Sequence, residues 1–119
     1  MAYVDGFVVP VPKKKLKAYR SLAKAAGKVW RDHGALEFRE WVADDVKVGK
    51  RTSFPRSVKL KPGETVVFSY IVYKSRAHRD RVNGKVMKDP RLAWMMDPKA
   101  MPFDGKRMIF GGFNLLIET

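Results

Sequence analysis

The sequence predicts an α+β fold with a four-stranded antiparallel sheet and two crossover helices. Three observations predict it. Tyr3–Val11 and Glu64–Tyr73 (ETVVFSYIVY) are dense in β-branched and aromatic residues, the composition of strands. Between them, Leu16 to Trp30 repeats apolar residues at three-and-four spacing, the period of a helix buried on one side. The chain is also short, at 119 residues with 45% apolar and 12% aromatic residues. That length and composition fit one ordered core rather than two or a disordered chain. Residues 1–119 are therefore expected to form one domain.

The elements follow in order. The first strand, Tyr3–Val11, ends at Pro12. In the first helix Tyr19, Leu22, Ala23, Ala26, Val29 and Trp30 share one face, and Lys17, Arg20, Lys24, Lys28 and Arg31 form a basic stripe opposite. Gly34 after His33 supplies the left-handed residue that closes it. Ala35–Ala43 alternates enough to be a second strand, ended by Asp44-Asp45. Residues 44–63 hold Gly49, Pro55, Pro62 and Gly63 among charges, a long loop with room for a short strand around Val58–Leu60. Glu64–Tyr73 is the third strand. Ser75 caps a second helix running to Met87, with Arg76/Asp80 and Lys85/Asp89 as i,i+4 pairs. Asp89-Pro90 opens a short helical turn toward Met96. Arg107–Glu118 is the last strand, in which Gly111-Gly112 marks a bulge or a close backbone approach. The resulting β-α-β-β-α-β order is the ferredoxin-like arrangement, in which right-handed crossovers place both helices on one sheet face.

The strands are apolar on both parities. Phe7, Val9 and Val11 oppose Val4 and Val8; Val67 and Ile71 oppose Val66, Phe68 and Val72; Ile109, Phe113, Leu115 and Ile117 oppose Met108, Phe110 and Leu116. A face left to water would alternate with polar residues. A second copy is the economical cover, so an obligate homodimer joined sheet to sheet is expected.

Charge and composition exclude several classes. There are 25 Lys and Arg against 12 Asp and Glu, a formal charge of +13, and no cysteine. Disulfide scaffolds, thiolate metal sites, iron–sulfur clusters and cysteine nucleophiles are thereby removed. The two histidines lie 45 positions apart, which matches no usual metal-ligand spacing, so no metal site and no cofactor is predicted. Phe7-Val8-Val9 lacks a basic leader and is broken by Pro10 and Pro12, so it does not read as a signal peptide. No run approaches the roughly 20 apolar residues of a membrane span. A cytoplasmic protein without membrane contact is expected.

Several phrases then stand together: Tyr3-Val-Asp-Gly-Phe-Val, Asp44-Asp45 with Gly49-Lys50, Phe54-Pro55-Arg56, Glu64-Thr-Val-Val-Phe-Ser, Arg79-Asp80, Asn83, Lys85-Val-Met87, and Met101-Pro-Phe-Asp-Gly-Lys-Arg-Met followed by Gly111-Gly112-Phe113. With these the chain resembles, over nearly its whole length, the YbaA-like family, domain of unknown function 1428. The resemblance implies a dimeric α/β barrel, two ferredoxin-like subunits packed through their sheets. It implies no reaction and carries over no catalytic residue.

Candidate sites come from inward-facing polar residues. Asp5, Glu40, Ser69 and Asn114 lie on strands where they face a cavity or an edge; a desolvated carboxylate among them would act as a general base. His33, on the apolar side of the first helix at its last turn, is either a proton acceptor at a pocket, a cation on the helix C-terminal dipole or a packed imidazole. Asp5, His33 and Glu40 are thus the catalytic candidates. Arg79 and Asn83 share a face with Val82, Val86 and Met87; they either contact a ligand or tie Arg79 to a carboxylate or to backbone carbonyls. Arg79, Asn83 and Trp41 are the ligand-binding candidates. His78 falls toward solvent. The methionines Met87, Met95, Met96, Met101 and Met108 read as adaptable packing.

Residues 13–31 hold eight Lys or Arg and no acid, and residues 74–91 hold seven against Asp80 and Asp89. These stripes either solvate the helices or bind a polyanion. The third strand lacks the basic-Gly-aromatic motif of RNA recognition motifs, and Gly49-Lys50-Arg51-Thr52 lacks the leading glycine of a phosphate loop. A small-molecule cavity in a dimeric barrel, supporting cofactor-free chemistry, is the function the sequence favours; RNA or polyanion binding through the outer helices is the alternative.

Overall fold

The computed structural model describes residues 2–119. Its elements are β1 (Tyr3–Pro12), α1 (Leu16–Asp32), β2 (Glu37–Val42), α2 (Phe54–Ser57), β3 (Glu64–Tyr73), α3 (Arg76–Val86) and β4 (Ile109–Asn114), with short 3-10 turns at Lys13–Lys15, Pro90–Met96, Pro98–Ala100 and Gly105–Arg107. The sheet runs β2-β3-β1-β4 with antiparallel neighbours throughout. This is the ferredoxin-like α+β fold, with α1 and α3 on one face. No helix among the described residues is long and apolar enough to cross a membrane.

Register fixes what each face presents. Glu40, Ser69, Phe7 and Phe110 form one row across the four strands, and Phe38, Ile71, Asp5 and Gly112 the next. Both rows lie under the helices. α1 buries Tyr19, Ala26, Val29 and Trp30, and α3 buries Val82 and Val86. Gly27 lets α1 settle close on β2, since a Cβ there would meet the Phe38 ring at 2.7 Å. Toward the opposite edge of the sheet, on the same face, Gly112 admits Tyr3, whose hydroxyl would lie 2.1 Å from an added Cβ. The β1–β4 register runs unbroken past both glycines, so there is no bulge, and the close approach is made at Gly112.

Three local expectations change. In place of a strand at Val58–Leu60 the chain forms α2, because the Ser53 side chain accepts from the Arg56 N–H and Pro55 stands in the first turn, a helix start written in four residues. Val58 then turns inward, 1% exposed, against Val8 and Val66 on the far sheet face. β4 ends at Asn114 rather than Glu118, four residues short of the predicted end. Asp80 pairs with Arg79 and Asp89 with His33 and Arg91, instead of the helical i,i+4 partners the spacing suggested.

The far face is half covered. Val8 and Val66 are buried under the 44–63 connection, whereas Phe68 is 44% exposed, Trp41 49% and Phe113 61%. Leu116 and Ile117, beyond β4, are also exposed.

Candidate functional site

A cavity of about 430 Å³ lies between the sheet and the helices. Its floor is the two rows of strand residues described above, with α1 and α3 as walls. The roof is the segment after α3, in which Asp89, Asp97 and Asp104 each accept from the N–H two residues on and so start a 3-10 turn. Asp-Pro, Asp-Pro and Asp-Gly are compact turn signals, and they hold Trp94, Met95, Met101, Phe103 and Met108 over the space. The walls are overwhelmingly apolar, with a few polar groups converging, the composition of small-molecule sites.

The polar groups form two sets. On β1, Asp5 is 6% exposed and receives Arg79 Nη1 at 2.7 Å from α3. Arg79 also donates Nε to Asp80 at 2.8 Å and lies 5.1 Å from the centre of the Tyr3 ring. Asn83, one turn on, accepts at Oδ1 from Trp30 Nε1 at 3.1 Å and from the Tyr73 hydroxyl at 3.2 Å, which leaves its NH₂ for Asp5 and the cavity. Burial raises the Asp5 pKa, and the Arg79 charge and hydrogen bond oppose the rise without cancelling it.

On the other side of the floor, Tyr19 of α1 donates its hydroxyl to Glu40 Oε1. Two strand spacings and a step of two residues along the strand separate Glu40 from Asp5, so their backbones sit roughly 12 Å apart across the sheet. Burial raises the Glu40 pKa and the Tyr19 hydrogen bond only partly offsets it. Tyr19 is pushed well above the usual phenol range by burial and by the Glu40 charge, so it remains a proton donor at ordinary pH. Among the described residues only Tyr19 donates to the Glu40 carboxyl, through one oxygen. Ser69, beside Glu40 in the same row and 6% exposed, also lines the cavity.

The structure thus brings together Asp5, Glu40, Ser69, Arg79 and Asn83, and leaves out others. His33 is not in the cavity: its Nε2 lies 2.8 Å from Asp89 Oδ2, in a cluster with Arg91 and Asp32 that ties the end of α1 to the turn after α3. Trp41 follows Glu40 on the strand, so its side chain takes the opposite sheet face, and it borders the flank of α1 rather than the cavity. Asn114 ends β4 opposite Tyr3 and is exposed. His78 is half-buried instead of solvated, with Nδ1 accepting from the Lys74 N–H at 2.9 Å; burial, then Arg81 and Lys74, lower its pKa.

Sequence reasoning missed Tyr19 as a functional group and the roof as a wall. Tyr19 read as core because it lies on the apolar stripe. Its signal was a hydroxyl on a buried face, which needs a partner, and the inward Glu40 is that partner.

A family model described as "Protein of unknown function (DUF1428)" matches residues 2–105. Relatives named "Uncharacterized protein YbaA", from Escherichia coli (strain K12) and from Shigella flexneri, are each 49% identical over 118 residues, 99% of this chain and 99% of theirs. Among solved structures, an uncharacterized NIPSNAP domain protein from Burkholderia xenovorans is similar with a TM-score of 0.61 at 14% identity, over 96% of this chain and 94% of that one. At that identity the likeness is one of fold.

Proposed function

The chain belongs to the DUF1428 family, a membership that assigns no reaction, and we propose from the cavity that the protein binds a small organic molecule there and takes a proton from it with Glu40. The carrying observation is the carboxyl of Glu40, oriented by Tyr19 and left with a free oxygen inside an apolar space. A carboxylate whose pKa is raised by desolvation is a stronger base than one in water, and a positioned base contributes about 10²–10⁴ in rate. Ser69, next to Glu40 in its row, and the Asn83 amide, across the floor, supply hydrogen-bonding groups to orient the ligand. The Asp5–Arg79 pair is a structural tie whose charges are already matched. The chemistry is within reach of side chains alone.

The test uses a fluorescent apolar probe, phenylnaphthylamine, with Ala26→Phe as the variant that fills the cavity from α1. Wild type is expected to bind the probe and the variant, still folded with a cooperative thermal transition, to lose at least about tenfold in affinity, the added ring leaving no room. Binding that persists in the variant would place the probe on the bare sheet face and overturn the reading. For the base, exchange of the acidic hydrogens of tetralone in heavy water should be accelerated by wild type and fall to background in Glu40→Gln.

The same reading includes a homodimer in the cytoplasm, the second copy covering Trp41, Phe68 and Phe113. Apolar patches of this kind on a lone subunit mark interaction surfaces. Light scattering should give twice the subunit mass for wild type, and Phe68→Glu should shift the population toward monomer; a monomeric wild type at micromolar concentration refutes the dimer and leaves the cavity untouched.

A further inference from the structure

Resting on the reading of the cavity as a ligand site, we infer that its ligand is an organic anion whose charged end lies on the flank of α1 and whose apolar body enters the cavity. A second hollow, about 670 Å³, runs along that flank beside the edge strand β2. Tyr19, Ala23, Phe38 and Glu40 line both spaces, so the Tyr19–Glu40 pair stands at the boundary between them.

The two spaces differ in charge. Within the cavity Arg79 is matched by Asp5 and Asp80. Along the flank stand Arg20, Lys24, Lys28 and Arg31, all exposed, and Glu40 is the single acid lining the hollow. Lys28 is paired with Asp32. Arg20, Lys24 and Arg31 form no ion pair among the described residues, and their spacing of four and seven sets them on one side of α1. This side faces the β2 edge because Gly27, between them on the helix, seats α1 on Phe38.

Three unmatched cations at the mouth of an apolar space raise the local concentration of anions and speed their entry. An uncharged ligand gains nothing from them. A carboxylate, sulfonate or phosphate on an apolar body gains at both ends, the head on Arg20, Lys24 and Arg31 and the body past Glu40 toward Trp30 and Phe7. A long polyanion such as RNA would use the stripe and leave the cavity empty.

Two dyes with the same ring system separate these cases: anilinonaphthalene sulfonate, which is anionic, and phenylnaphthylamine, which is not. At about 20 mM salt the sulfonate should bind wild type about tenfold more tightly than the neutral dye, and at about 300 mM that advantage should largely vanish, as expected for exposed charges. The triple variant Arg20→Gln/Lys24→Gln/Arg31→Gln should weaken the sulfonate to the level of the neutral dye and leave the neutral dye unchanged. Equal affinity of the two dyes for wild type, or a sulfonate advantage that survives in the triple variant, overturns the inference while the cavity reading stands. Binding of poly-uridylate to the stripe with no preference between the dyes overturns it in favour of a polyanion partner. Failure of the neutral dye to bind wild type removes the cavity reading itself.

Discussion

Two regions of this small sheet treat carboxylates in opposite ways. In the cavity, Asp5 and Glu40 have raised pKa values, burial being the largest cause. At the edge of the sheet where the 44–63 connection meets β4, Glu64 and Asp104 are lowered, the hydrogen bonds of Arg107 being the largest cause. Arg107 donates to both Glu64 oxygens at 2.8 and 2.6 Å, to Asp104 at 3.0 Å, and to the carbonyls of Val58 and Lys59. Each carboxylate there meets a full set of donors. Glu40 meets one, and Asp5 shares its arginine with Asp80. Burial with few donors leaves a carboxylate available to a ligand, and a full set of donors with shallower burial makes one that holds the fold.

The clamp offers the largest effect. Arg107→Ala should lower unfolding free energy by about 3 kcal/mol, since it leaves Glu64 unpaired and frees the Val58 and Lys59 carbonyls; urea denaturation measures it, and a loss within error would mean that the clamp closes without contributing. Arg79→Ala is expected to cost about 2 kcal/mol by stranding Asp5. That deficit should shrink as pH falls and Asp5 protonates, and the double variant Asp5→Asn/Arg79→Ala should recover part of it at neutral pH.

Two matched substitutions sharpen the contrast further. Glu64 has a lowered native pKa, so its contribution is complete above the unfolded value and lost as pH falls through the native one; Glu64→Gln should cost about 1 kcal/mol at pH near 7. Glu40 has a raised native pKa, so its contribution is complete below the unfolded value of 4.5 and lost as pH rises through the native one. Glu40→Gln should therefore stabilise the protein at neutral pH, and its curve should merge with wild type under acid. Stability changes of the same sign at the two positions would break the comparison. The smallest effect belongs to Tyr19→Phe, which removes the hydrogen bond that lowers the Glu40 pKa; the NMR midpoint of the Glu40 carboxyl should move upward.

Much of this was legible before folding. The order of elements, the left-handed turn at Gly34 (φ +112) and the inward aim of Arg79 follow from local spacing. α2 was missed because its signal is a four-residue cap inside a charged loop, where Gly and Pro dominate the pattern. His33 was misplaced as a cavity candidate because helical period locates a face, whereas the end of α1 extends past the cavity to Asp89. Trp41 and Glu40 are neighbours in sequence and belong to opposite faces, and only pairing with β3 settles which side each takes.

By itself the sequence determined what each segment becomes and that both sheet faces would be apolar, because periods of two and 3.6 are local properties of the backbone. Tertiary structure decided which polar groups meet. Tyr19 and Glu40 are 21 positions apart and Asp5 and Arg79 are 74 apart, and such meetings depend on strand register and on how closely a helix seats. Gly27 against Phe38 sets that seating, a steric fact that no spacing along the chain encodes.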